Sequence, residues 1–346
     1  MQSEAGVKIG LLIPMQGDRV DEGRATQQGA ELAVSEANAQ GGYQGRPFEL
    51  IIRSDEGLWG SGSKKIADLV FEEGIWALIS GLDGRGTHLA EQIITKRQVP
   101  MVTPWATDPS LALINIPWFF RTIPDDRQQA EALTREIFQF RRLQQVAVIT
   151  TGRYDDQVAA NAFSLQADKE GYEQTQVLTI DLEREAIADI TILLQEYSPD
   201  GLVLFTPPEM AENLIHDLRR KGLSLAIFGP MSIADGVSGT PRLTVEGTVS
   251  VVAPGYWETD QGEHFRREFE GNYGRRPPVI AAYAYDSMKI VLEAIQQAGL
   301  NRDKIRDALE GMDYPQGVTG PIRFQSNGNR QIDVEIQDLN FNKSQL

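Results

Sequence analysis

Glycines, hydroxyls and one arginine, rather than nucleophiles or metal ligands, are the chemically suggestive residues of this chain. They gather in the stretch 75–107, IWALISGLDGRGTHLAEQIITKRQVPMVTPWAT. Two short apolar runs, Trp76–Ser80 and Pro100–Thr103, read as buried parallel strands, and Thr87–Arg97 between them has helical apolar spacing. In such strand–helix–strand units ligands gather outside the carboxyl ends of the strands. Those ends are Gly81–Thr87 and Pro104–Thr107, read as the two halves of one pocket wall. Backbone N–H groups at a helix N-terminus bind anions, and the glycines of Gly81-Leu82-Asp83-Gly84-Arg85-Gly86-Thr87 permit close approach. Gly84, Gly86 and Arg85 are therefore candidate carboxylate contacts; the competing reading of Arg85 is a solvent-facing side chain paired with Asp83. Trp59, in Gly57-Leu58-Trp59-Gly60, either joins Trp105 as an aromatic wall for a ring-bearing ligand or packs at a rim without one.

Other chemistries find no support. The chain has no cysteine, which excludes disulfides, thiolate catalysis and Cys-based zinc sites. His88, His216 and His264 are widely separated and form no metal-ligand pair. The run GLDGRG lacks the Lys-Ser/Thr end of a phosphate loop, no nucleophile elbow occurs, and Asp18, Asp21 and Glu22 lack calcium-loop spacing. No cofactor, no metal and no enzymatic activity are expected.

At 346 residues the chain favours two domains of ~150 residues each. Its apolar fraction of 41% and charged fraction of 24% are those of a folded globular protein. A net charge of −16 argues against nucleic acid, which demands a basic surface. No apolar run is long enough to span a membrane. Met1–Gly6 carries no export-signal pattern; a cytoplasmic start and an export signal already removed both fit.

The elements that must position these residues alternate. Val7–Ile13 is a strand, Gly17–Arg24 a polar loop, and Thr26–Asn38 an amphipathic helix stopped by Gly41–Gly42. Strand Phe48–Arg53 and helix Lys64–Glu73 lead into the stretch described above. After Phe119–Ile123 the series restarts: helix Gln128–Phe140, strand Val146–Thr150, helix Asp155–Glu170, strand Thr175–Thr179, helix Ile187–Glu196, strand Gly201–Phe205, helix Glu209–Lys221 and strand Ala226–Gly229. Then come strand Thr248–Ala253, helices Thr259–Asn272 and Pro278–Gln297, and short strands at Ile322–Phe324 and Asp333–Asp338. Strand–helix alternation of this kind gives an α/β chain of two doubly wound units.

Five stretches in order carry a resemblance: VKIGLLIPMQG, QQGAELAVSEANAQGG, VPMVTPWATDPSL, AAYAYDSMKI and GPIRFQSNGNR. Together they resemble the type I periplasmic ligand-binding proteins, most closely the leucine/isoleucine/valine-binding branch of ABC importers. The resemblance implies two Rossmann-like lobes joined by three crossings, with the ligand cleft between them. Residues 7–121 plus 256–323 would form lobe I, and 122–255 plus 324–346 lobe II. It implies that the Trp105 carbonyl receives a ligand amine and that the Thr107 hydroxyl binds its carboxylate, with Ala106 between them. Thr107 also reads as the N-cap of a short turn at Asp108–Leu111. Tyr154 matches a tyrosine that closes over the ligand, and Thr206 ends a strand where the family often contributes an aromatic ring.

Two departures matter. The family's serine falls near Gly84, and Met231 stands where branched-chain binders carry a glutamate for the ligand ammonium. A buried ammonium without a carboxylate costs several kcal/mol, so Asp286, Asp235 or Glu22 would have to substitute, or the ligand lacks an amine. On the long helix Tyr283 is expected to face the cleft and Tyr285 not, with Asp286 serving a hinge or cap at least as readily as a ligand.

The expected function is thus an extracytoplasmic solute-binding protein that captures an amino acid or an aromatic or other organic acid by cleft closure. It would act as a monomer and deliver the ligand to an ABC permease, from the periplasm or cell exterior, with lipid anchoring of the precursor one route to the membrane. The alternative is a regulatory or sensory module of the same fold acting through a protein partner.

Overall fold

The computed structural model describes residues 6–55, 61–172, 176–179, 187–234, 249–253 and 259–338. Two compact units emerge, Met1–Pro124 with Gly255–Ile332, and Asp125–Pro254 with Asp333–Leu346, so the chain passes between them three times.

The first unit is built on β1 (Val7–Ile13), β2 (Phe48–Ser54), β3 (Leu78–Ser80), β4 (Met101–Thr103) and β5 (Phe119–Arg121). They form a sheet in the order β2-β1-β3-β4-β5, parallel throughout, with Val7 opposite Phe48, Gly10 opposite Leu78 and Thr103 opposite Arg121. In this order the topology reverses between β1 and β3, and the loops at that point are where a doubly wound sheet binds ligands. The strands are almost wholly apolar because helices cover both faces. Helices α1 (Val20–Ala39), α2 (Ser61–Asp68), α3 (Gly84–Arg97), α8 (Asp260–Tyr273), α9 (Val279–Ala298) and α10 (Arg302–Glu310) belong to this unit. Here α1 and α9 pack closely: a Cβ built on Gly29 would stand 2.1 Å from the Ala281 carbonyl oxygen, so only glycine admits the contact.

The second unit contains β6 (Val146–Thr150), β7 (Gln176–Thr179), β8 (Gly201–Phe205), β9 (Ala226–Gly229), β10 (Val249–Val252) and β11 (Ile336–Asp338). Its sheet runs β11-β10-β9-β8-β6-β7. Without β11 this is the topology of the first sheet repeated. β11 adds an antiparallel edge, with Ser250 opposite Asp338, and Arg141 clamps Asp338 through two bonds of 2.8 and 2.9 Å. Helices α4 (Asp126–Thr134), α5 (Tyr154–Lys169), α6 (Ile187–Tyr197) and α7 (Pro208–Arg220) complete it. A reciprocal capping box starts α4: Asp125 accepts from the Gln128 amide at 2.9 Å, and Gln128 accepts from the Asp125 amide at 3.0 Å.

Several local expectations are corrected. Gly17–Arg24 is not a loop: a 3-10 turn at Gly17–Arg19 runs directly into α1, which starts at Val20. The helices expected to run to Glu73 and Phe140 end in π-helical turns, Leu69–Glu73 and Arg135–Phe140. The sequence reading did not find α10, although Asn301 caps it by accepting from the Lys304 amide at 3.0 Å. Ile322 and Phe324 make only isolated bridges, to Tyr314 and Arg330. Residues 324–332, expected in the second lobe, belong to the first unit because Asn329 and Arg330 are bonded to Arg121 and Thr122.

Those bonds form a buried polar block. Arg330, fully buried, donates to the carbonyls of Thr122 (2.9 Å), Thr319 (3.0 Å) and Gly320 (2.7 Å) and to the Thr319 hydroxyl (2.9 Å). On α9, Asp286 accepts from the amides of Val318 (3.0 Å) and Thr319 (2.8 Å) and from the Thr319 hydroxyl (2.6 Å). Burial nonetheless holds its carboxyl above the usual carboxylate range. All of these contacts lie within the first unit, so Asp286 fastens the 317–320 turn. Asp286→Ala is expected to destabilise the chain by about 3–5 kcal/mol, because it strips buried donors of their acceptor beside Arg330. Denaturant midpoints of the variant and of Asp286→Asn, expected to lose less, check this.

Candidate functional site

The carboxyl ends of β1, β3 and β4 carry the candidate site of the first unit. After β1 the chain turns at Pro14 and brings Arg19 back towards the end of β3. The Arg19 guanidinium donates to Glu22 Oε2 at 2.6 Å, to Asp83 Oδ2 at 2.8 Å and to the Leu82 carbonyl. One cation thus pins the loop after β1 to the loop after β3. Asp83 is also the N-cap of α3: its Oδ1 accepts from the Gly86 amide at 2.6 Å, and its carbonyl accepts from the amide and hydroxyl of Thr87.

This geometry bears directly on the expected carboxylate cradle. The Gly86 amide and the Thr87 donors are spent on Asp83, whose own carboxylate occupies the position an anion would take. Gly84 is buried and Arg85 exposed, and both have other partners. The acid expected to pair with Arg85 is held by Arg19 instead, as is Glu22. Gly81 itself is indispensable to the turn. Its φ of +88° suits glycine, and a Cβ there would meet the Thr87 hydroxyl at 2.3 Å.

The loop after β4 is organised differently. Thr103 Oγ1 donates to the Gly81 carbonyl and accepts from the Ala106 amide at 3.2 Å, tying the two strand ends together. The N-cap of the 3-10 turn Pro109–Ala112 is Asp108, not Thr107: Asp108 Oδ1 accepts from the Ser110 amide at 2.8 Å and hydroxyl at 2.7 Å. Thr107 is therefore released from capping, and neither its amide nor its hydroxyl bonds to another described residue. Beside it, Trp105 packs edge-on against Tyr283 of α9, with centroids 5.9 Å apart at 64°. Tyr285 points elsewhere, donating to Glu36 of α1 at 2.6 Å, so Tyr283 and not Tyr285 accompanies Trp105. Ala106 is buried.

Behind this loop lies a network that the sequence reading missed. Glu91, on α3, is 3% exposed and places Oε2 3.2 Å from His88 Nδ1. His88 Nε2 lies 2.9 Å from Ser110 Oγ and 3.5 Å from Asp108 Oδ2. Burial pushes the Glu91 carboxyl up to about 8; Asp108 adds to the rise and Arg121 opposes it. A protonated Glu91 donates to His88 Nδ1, His88 then donates from Nε2 to Ser110, and Ser110 donates to Asp108.

In the second unit Tyr154, Thr206 and Met231 follow β6, β8 and β9 and share one edge of the sheet. Tyr154 is half-buried in the first turn of α5, after a turn in which Thr151 Oγ1 accepts from the Arg153 amide at 3.1 Å. Thr206 is buried, with its hydroxyl 3.4 Å from the Pro207 carbonyl. Met231 is 1% exposed, and its amide donates to Gln129 Oε1 at 3.1 Å. Trp59 and Asp235 lie outside the described residues. Among the described residues no cluster could hold a metal ion, and no helix is long and apolar enough to cross a membrane.

Of the residues that shape the site, the sequence does not single out Arg19, and it offers Asp83 only as a partner for Arg85 and Asp108 only as the start of a turn. Their signals were local: an Arg three residues before Glu22, and aspartates placed directly before a Gly-rich helix start and before a proline.

Doubly wound sheets bind ligands at the carboxyl ends of their strands, where these polar residues lie. The family model for periplasmic binding proteins matches residues 6–339, and the chain belongs to that family. Members of this family are extracytoplasmic binding proteins, not enzymes. The Leu/Ile/Val-binding protein homolog 1 of Brucella suis is 21% identical over 330 residues, covering 95% of this chain and 88% of its own. A branched-chain amino acid transporter substrate binding protein from Streptococcus pneumoniae, solved with isoleucine, superposes with a TM-score of 0.82 at 21% identity, over 96% of this chain and 99% of that one. An ABC transporter solute binding protein from R. palustris, solved with benzoate, gives 0.85 at 19% identity, over 97% and 94%. At these identities the superpositions establish the fold.

The Glu91 network generates a pH prediction. A carboxyl whose folded pKa of about 8 exceeds its ordinary 4.5 adds stability that is complete below the lower value and is lost as pH rises through the upper. Glu91→Gln, which cannot ionise, is expected to match the wild type near pH 5 and to gain on it by up to ~1.4 kcal/mol per pH unit towards pH 8. Unfolding midpoints across that range check it.

Proposed function

We propose that the chain is the extracytoplasmic substrate-binding component of an ABC importer, and that its ligand is a small carboxylate without an ammonium group, such as an aromatic acid. Thr107 carries the reading. It presents an amide and a hydroxyl with no bond to another described residue, next to the Trp105–Tyr283 aromatic pair. Such a pair of donors suits a carboxylate, and the aromatic edge suits a ring.

Among the described residues, the acids named as partners for an ammonium argue the same way. Glu22 and Asp83 share Arg19, and Asp286 is spent on the 318–319 backbone. Met231 offers a thioether where the related binders have a glutamate. The R. palustris neighbour was solved with benzoate, which shows that this fold accepts an amine-free acid. Arg85, Gly84, Tyr154, Thr206 and Trp59 remain proposed contacts, subordinate to Thr107 and Trp105, whereas the Gly86 amide is spent on Asp83. Capture by hinge closure and release to a membrane permease, by a monomer, follow the behaviour of such binding proteins.

Thermal unfolding against benzoate, hydroxybenzoates, aliphatic dicarboxylates and the branched-chain amino acids tests the reading. A ligand at a hundred times its Kd adds ~2.7 kcal/mol. Stabilisation by amine-free carboxylates is the expected result; stabilisation by amino acids alone overturns the ligand class. No stabilisation by any of them would favour a regulatory module acting through a protein partner. Thr107→Val, which removes one charge-assisted hydrogen bond, is expected to weaken carboxylate binding roughly ten- to a hundredfold with an unchanged unfolding midpoint. Titration calorimetry on the variant checks it.

A further inference from the structure

We infer that Arg121 is the positioning residue of the ligand loop: by drawing the carbonyls of Ala106 and Asp108 inward, it turns the donors of Thr107 outward. The inference deepens the function proposed above and rests on its assignment of Thr107 as a carboxylate contact.

Arg121 is the last residue of β5, beside Thr103 of β4 in the parallel register, and it is 0% exposed. Its guanidinium reaches past the end of β4. Nη1 donates to the Ala106 carbonyl at 3.1 Å and to the Asp108 carbonyl at 2.7 Å. Nε and Nη2 donate to Asn329 Oδ1 at 3.1 and 2.6 Å. Two carbonyls separated by a single residue thus converge on one nitrogen, and the residue between them is Thr107.

Peptide geometry does the rest. Among the described residues there is no cis peptide bond. In a trans peptide the C=O and the following N–H point in opposite directions. With the Ala106 carbonyl aimed at Arg121, the Thr107 N–H is aimed away from it. The peptide after next joins Asp108 to Pro109, which has no N–H and a fixed φ, so it adds no competing donor. Ala106 N–H is held by Thr103 Oγ1. The Ala106 N–H and the carbonyls of Ala106 and Asp108 are therefore committed inward, while the amide and hydroxyl of Thr107 bond to no other described residue.

Arginine suits this task and lysine does not. The planar fork offers five N–H donors at fixed angles, enough for two carbonyls on one side and an amide oxygen on the other. A lysine ammonium on the same strand is a single point donor. Asn329 completes the device by fixing the plane of the fork, and it is itself held in a tight turn, its amide bonded to Asn327 Oδ1 at 3.1 Å.

The test compares Arg121→Lys, Asn329→Ala and Asn329→Asp with the wild type. In the ligand-free protein, hydrogen exchange of the Ala106, Ser110 and Leu111 amides is expected to quicken at least tenfold in Arg121→Lys and Asn329→Ala. It should stay near wild type in Asn329→Asp, which retains the acceptor. Exchange in β1 should be unchanged in all three, which separates loop positioning from general destabilisation. Benzoate and leucine, both carboxylates, are the binding probes. Whichever binds the wild type should lose at least tenfold in affinity in the first two variants and keep it in the third.

Binding of leucine rather than benzoate would overturn the amine-free ligand class while leaving Arg121 to be judged by the same variants. Unchanged loop exchange in Arg121→Lys overturns the inference whatever binds. So does faster exchange with unchanged affinity for the bound probe. If neither probe binds, the exchange measurements alone decide for or against the positioning role. If Arg121→Lys does not fold, the contrast between Asn329→Ala and Asn329→Asp decides it.

Discussion

A guanidinium has several N–H donors and no acceptor, so it is stable inside a protein only where the backbone turns several oxygens towards one point. The first unit contains two such points. Arg330 gathers the carbonyls of Thr122, Thr319 and Gly320, and Arg121 gathers those of Ala106 and Asp108 with the Asn329 side chain. Both lie within a few residues of places where the chain leaves this unit, after Pro124 and after Ile332. These residues form an irregular backbone that no sheet ladder satisfies, and the two arginines supply the missing donors. Asp286 serves the complementary need, taking the amides of the 318–319 turn from the other side.

A second constraint is competition for the N-terminus of α3. By dipole and free amides it is the natural anion site at a β1/β3 switch point. Here the protein fills it with its own carboxylate, since Asp83 caps the helix and is neutralised by Arg19. An exogenous carboxylate at that position would face a bound aspartate. The donors that remain uncommitted are one strand further along, at Thr107. On the proposed reading the site lies at the end of β4 and not of β3, next to an aromatic pair in place of a bare glycine loop.

What could be read from the sequence divides along physical lines. Strands such as Val146–Thr150 and Gly201–Phe205 were legible because a strand buried on both faces must be a continuous apolar run, and that is a local property. The two doubly wound sheets followed from alternation and resemblance. Helix α10 was missed because its apolar stripe is thin, Ile305 and Leu309 in a highly charged segment. The site was less legible. Thr107, Trp105 and Tyr283 are singled out in the sequence, but Thr107 reads there as a cap as well as a ligand contact, because any Thr before Asp-Pro-Ser fits one; that Asp108 wins the cap depends on Pro109 setting the turn. Arg19 to Asp83 and Arg121 to Asn329 are contacts across 64 and 208 residues, and no periodicity announces them.

The loop from Pro104 to Ser110 is held from two sides, and this decides how it can recognise a ligand. Arg121 fixes its carbonyls from below, and the chain Glu91, His88, Ser110, Asp108 fixes its far end. The two systems meet at Asp108, which gives its carbonyl to Arg121 and its carboxylate to Ser110. A loop so constrained has little conformational freedom left to lose when a ligand arrives, so more of each new hydrogen bond is retained as affinity. The same constraint makes the site selective, because a rigid donor pair rejects ligands whose acceptors do not meet it. Ionising Glu91 would remove the donor at one end of the chain, and the rigidity of the 104–110 loop is thereby tied to the protonation of a buried side chain on α3.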